Sequence, residues 1–127
     1  MTQWLLEMKT LAQKYERINN RITRAWEKGY DDFRKVWGEG ELPALLEKLR
    51  KMPVPIELEW KWYKENFEAG ISAQIKGLTI AAKDAGRSVP GSNWGAEMHY
   101  WMLVSKGFLD KDNMMTDLSS FRKKYQI

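Results

Sequence analysis

Trp4, Met8, Leu11, Tyr15, Ile18, Ile22 and the Ala25-Trp26 pair recur at alternating steps of four and three. Each residue turns about 100° around a helix axis, so this stepping gathers them on one side of an α-helix. The pattern predicts a long amphipathic N-terminal helix over residues 3–28, ended by Gly29. Lys14, Arg17, Arg21, Arg24 and Lys28 follow the same stepping. Their row is centred about 120° from the apolar one, so one stripe is free to face a core while the other faces water.

The same reasoning extends along the chain. Residues 30–37 predict a short helix with Phe33, Val36 and Trp37 inward and Asp31 and Asp32 in the first turn, where the helix dipole favours negative charge. Gly38-Glu39-Gly40 is a break. Pro43 suits the first turn of a helix over residues 44–51, with Leu45, Leu46 and Leu49 buried. Pro53-Val54-Pro55 stops that helix and forces an extended linker. It is an internal linker and not a domain boundary, because neither flank is long enough to bury a core comfortably alone.

After Pro55 two periods compete. Residues 56–62 alternate apolar and polar, which is a strand signature. Ile56, Trp60, Tyr63, Phe67, Ile71, Ile75, Leu78 and Ala82 form a longer stripe at steps of three and four. The longer pattern predicts a helix over residues 56–83, with a bend or break near Gly70. Leu58 and Trp62 then fall almost opposite the stripe, toward a second layer or a partner. Gly86 closes this helix. A helix over residues 94–106 has Trp94, Met98, Trp101 and Met102 on one face. Tyr100, Leu103 and Val104 make it apolar most of the way round, which predicts a central, buried helix ended by Gly107. Residues 116–125 predict a last helix with Leu118, Phe121 and Tyr125 inward. The fold expected is all-α, one domain over residues 1–127, a bundle of about six or seven helices.

Composition narrows the chemistry more than it names a function. The 127 residues are 43% hydrophobic and 30% charged, ordinary values for a globular chain. Lys and Arg outnumber Asp and Glu by only 21 to 17, so the segregation of cations on the first helix matters more than the net charge of +4. There is no cysteine and a single histidine, His99. Disulfides and cysteine nucleophiles are thereby excluded, and a zinc site would need mainly carboxylates, which zinc disfavours. No long apolar run opens the chain and none spans a membrane, so a cytoplasmic location is expected. Seven tryptophans supply large buried areas and interface anchors.

His99, on a largely apolar helix, is expected to be a hydrogen-bonded core or boundary residue. Asp31 and Asp32 are adjacent, so they point apart and form no acid/base pair. Glu65 and Glu68 share a helix edge, where a solvated surface explains them better than a bound cation. No phosphate-binding glycine loop, dinucleotide motif or EF-hand loop occurs. No enzymatic activity, catalytic residue, metal, cofactor or small-molecule ligand is expected.

The basic stripe is the leading functional feature. From Lys14 to Lys28 it covers about 21 Å at about 1.5 Å per residue, enough to follow several phosphates of a nucleic-acid backbone. Three of its five residues are arginine, suited to bidentate phosphate contacts. The expectation is a non-catalytic helical subunit or accessory factor, within a larger protein assembly, that binds nucleic acid nonspecifically through Lys14, Arg17, Arg21, Arg24 and Lys28. The alternative is a protein-binding module, an inhibitor, immunity or adaptor protein, with Leu58 and Trp62 as anchors. In size and helical, basic character the chain is similar to small helical subunits of bacterial CRISPR effector complexes and to phage-encoded inhibitors, a likeness of class without a motif. Helix, loop, helix and then Lys106-Gly-Phe-Leu109 also loosely resembles a winged-helix DNA-binding regulator, although few groups on its second helix read base edges.

Overall fold

A computed structural model of the chain describes residues 2–109. The helix expected over residues 116–125 lies outside the described residues. The elements among them are all helices: α1 (Thr2–Lys28), α2 (Tyr30–Trp37), α3 (Glu41–Lys51), α4 (Leu58–Asp84) and α5 (Trp94–Leu109). The apolar stripe of α1 is buried along its length, from Trp4 and Met8 through Tyr15 and Ile18 to Ile22 and Ala25. It shares one core with Phe33 of α2, Leu42, Leu45 and Leu49 of α3, and Tyr63, Phe67, Ile71 and Leu78 of α4.

Contacts fix the directions of the helices. Arg21 meets Glu41, and Lys14 faces Lys48 further along α3, so α3 runs antiparallel to α1. Trp4 packs edge-on to Trp60 and Tyr15 to Phe67, so α4 runs parallel to α1. The Tyr15 hydroxyl donates to Gln74 Oε1 at 2.7 Å, and Gln74 Nε2 donates to Asn19 Oδ1 at 2.7 Å. Gln74 is 3% exposed, so this bridge sets the rotation of α1 about its axis inside the core. The rotation decides which α1 residues face water.

Several element boundaries differ from the sequence expectation. α3 starts at Glu41 rather than Ala44, because Pro43 lacks only an N–H that the first turn leaves unused anyway. α4 starts at Leu58 rather than Ile56, with the Lys61 N–H bonded to the Glu57 carbonyl at 3.0 Å. Ile56 stays outside the helix and is 94% exposed. The Pro53 carbonyl accepts a 2.9 Å bond from the Trp4 indole, which ties the linker to the start of α1.

Of the bend or break expected near Gly70, a break is absent: α4 is continuous through both Gly70 and Gly77. The reason lies in α5. A Cβ on Gly70 would stand 2.4 Å from Leu109 Cγ, and one on Gly77 would stand 3.2 Å from both the Met98 carbonyl oxygen and Trp101 Cβ. The Ser105 hydroxyl also bonds the Gly70 carbonyl at 2.7 Å. The two glycines are the seam along which α5 returns antiparallel against α4, and the packing gained offsets their poor helix propensity.

The helix over residues 94–109 is not central. Ser105 and Leu109 are its buried residues, Tyr100 and Leu103 are 57% and 55% exposed, and His99 is exposed rather than in the core. Among the described residues α4 is the helix that lies along it, with Trp94 at its start also meeting Trp26 and Tyr30. Gly107 does not end α5. The helix continues to Leu109, whose contact on Gly70 holds the last turn.

Candidate nucleic-acid interface

The outward side of α1 follows from its buried side, because the two rows are locked together by helix geometry. Arg17, Arg24 and Lys28 are exposed, and none of them makes an ion pair among the described residues. Arg21 differs. Its guanidinium bridges Glu39 at 2.8 Å and Glu41, both contributed by the segment after α2. The hydrogen bond from Arg21 holds the Glu39 carboxyl below its ordinary value, and the same bond pushes the guanidinium up. The expected row of five unpaired cations is therefore interrupted at its middle.

Lys14 has a neighbour of like charge. The Lys48 ammonium, within hydrogen-bonding reach from α3, holds the Lys14 amine below its ordinary value. Two cations so placed favour an anion between them.

The turn from α1 into α2 adds a further cation. Gly29 has φ 143°, a conformation that side-chain-bearing residues rarely adopt, and it lets α2 fold back beside the end of α1. An aromatic cluster fixes the angle: Trp26 meets Tyr30, Phe33 and Trp94 with ring centroids 5.3, 5.1 and 6.3 Å apart. Arg34 then bonds the Ala82 carbonyl at 2.8 Å and the Ala85 carbonyl, docking α2 on the end of α4. With α2 so held, Lys35 faces Arg24 and Lys28 across a cleft of about 260 Å³ that Arg21 and Asp32 also line. No family model, curated protein or solved structure matches this chain.

Lys35 and Lys48 join the basic face from other helices, and sequence reasoning did not include them. The outward position of Lys35 was legible from the inward Phe33, Val36 and Trp37. Its approach to α1 was not. Leu58 and Trp62, the expected protein-interface residues, are 80% and 37% exposed, and Val54 in the linker is 62% exposed. Of the carboxylates considered for a cation, Glu68 accepts from Lys64 at 2.8 Å while Glu65 is exposed. Among the described residues no group of three metal-ligating side chains occurs, and no helix is long and apolar enough to cross a membrane. Lys106 to Leu109 is helical and belongs to α5, and the described residues hold no strand.

Proposed function

We propose that the chain is a non-catalytic helical subunit or accessory factor that binds the backbone of a nucleic acid through the exposed side of α1. The observation that supports this reading is the set of exposed cations Arg17, Arg24 and Lys28, which make no ion pair among the described residues, joined by Lys35 from α2. Exposed cations contribute little to folding and are available to phosphates. Arg21, held by two carboxylates, serves as an internal brace, and Lys14 with Lys48 extends the face along α3.

Four phosphate contacts give a slope of about −2.8 to −3.6 for log affinity against log salt. Fluorescence anisotropy of a labelled oligonucleotide measures it. Arg17→Glu with Arg24→Glu removes the binding while the helical circular dichroism stays unchanged. Binding that survives this double change, or that ignores salt, refutes the reading.

A second reading is favoured by one observation. Val54, Ile56, Leu58 and Trp62 leave apolar side chains in water at the linker and the start of α4. Exposed apolar side chains of this kind suit a protein partner within a larger assembly, with Leu58 and Trp62 as anchors. Salt-insensitive capture of one defined partner, lost on Trp62→Ala, is the outcome that selects this reading over the first.

A further inference from the structure

The cations of the α1 face are not all alike in shape. Arg17 stands on the convex surface of a helix, a geometry that touches a passing backbone phosphate from one side. Arg24 and Lys28 on α1 and Lys35 on α2 instead line one concavity, floored by Ala25 and Val36. The cleft, about 260 Å³, is smaller than the roughly 300–1,000 Å³ of pockets for drug-sized ligands, so it suits a small group rather than a base and its sugar.

Charge narrows the group further. Arg24, Lys28 and Lys35 make no ion pair among the described residues, and Asp32 is the carboxylate that lines the same cleft. Arg21, also in the wall, is bridged by Glu39 and Glu41, which do not themselves line the cleft. Among the lining side chains outside that bridge, three cations against one carboxylate leave a surplus of two positive charges. An internal phosphodiester brings one negative charge, whereas a phosphate monoester carries about −1.5 to −2 at neutral pH and offers three acceptor oxygens. Donors from two helices can meet such an ion on more than one side, which a linear row cannot do.

We infer that the α1–α2 cleft is a phosphate-monoester site, and that in the nucleic-acid reading above, on which this rests, it holds the terminal phosphate of a strand. Arg24 supplies a planar fork for two oxygens, and Lys28 and Lys35 supply point charges on the third. Arg17 and the Lys14/Lys48 pair contact phosphates further along the strand.

Two oligonucleotides of one sequence, with a 5′-phosphate or a 5′-hydroxyl end, provide the test by anisotropy at fixed salt. The phosphorylated strand binds about tenfold more tightly, the size of one added charge-assisted hydrogen bond. Lys35→Gln removes that preference. Arg17→Gln weakens both strands and leaves the ratio intact. Asp32→Asn raises the preference. Equal affinity for the two ends, or a preference that Lys35→Gln does not alter, overturns the cleft assignment while backbone binding stands. If neither strand binds, the nucleic-acid reading fails, and inorganic phosphate followed by amide chemical shifts decides the cleft. Shifts at Lys28 and Lys35 that saturate keep it as a monoester site for a soluble phosphate ester, and unchanged spectra overturn it.

Discussion

Replacing Gly70 by alanine tests whether α4 carries glycine for packing or merely tolerates it. On an isolated helix the change stabilises by about 0.8–1 kcal/mol, because glycine loses more backbone entropy on folding than any other residue. In this fold the new Cβ would lie 2.4 Å from Leu109 Cγ and 2.5 Å from Leu109 Cδ2. Leu109 is 5% exposed, so its side chain has to leave its well and push on its neighbours. Overpacking of this kind costs about 1–3 kcal/mol, which outweighs the helix term and leaves Gly70→Ala destabilising by about 1 kcal/mol. Truncating the obstacle reverses the sign. Leu109→Ala alone costs about 2–5 kcal/mol, and adding Gly70→Ala to it restores about 1 kcal/mol. The coupling between the two positions is then about 2 kcal/mol, within the range for residues in contact. Gly107 is the control. It lies inside α5, and among the described residues a methyl added there would meet nothing within 4 Å, so Gly107→Ala stabilises by about 1 kcal/mol. Urea unfolding followed by tryptophan fluorescence reads all four variants. Equal stabilisation by Gly70→Ala in the wild-type and Leu109→Ala backgrounds refutes the seam.

Two further outcomes follow from charged groups. Arg34→Ala removes bonds to the Ala82 and Ala85 carbonyls from a side chain only 20% exposed, and costs about 2–4 kcal/mol in thermal or urea unfolding; a loss under about 0.5 kcal/mol refutes the docking role of α2. Arg21 holds the folded Glu39 carboxyl below its ordinary 4.5, so the contribution of the pair is present above pH 4.5 and fades as pH falls through the lowered value. Arg21→Gln therefore lowers the urea midpoint at neutral pH and leaves it unchanged in strong acid, and a deficit of the same size at both pH values refutes the pairing.

The two faces of α1 were legible in the sequence because helical periodicity is local. Residues three and four apart share a side whatever else the chain does, so the buried row from Trp4 to Ile22 and the outward row from Lys14 to Lys28 both followed from spacing alone. The inward residues of α2, α3 and α4 followed for the same reason, as did the position of Leu58 and Trp62 off the buried stripe, although spacing left open whether a second layer of the bundle or a partner meets them. Partners across the fold were not legible. Glu39 and Glu41 reach Arg21, and Lys35 faces Arg24, only because the Gly29 turn and the Trp26 cluster set the angle of α2. Gly70 looked like a weak point because propensity counts backbone entropy and not the helix that needs the space. The apolar girth of α5 suggested a buried centre, yet composition states how much surface wants cover and not how much neighbouring helices supply. Spacing along one helix is a matter of a few bonds, whereas which charge meets which carboxylate depends on turns and packing contacts dozens of residues away.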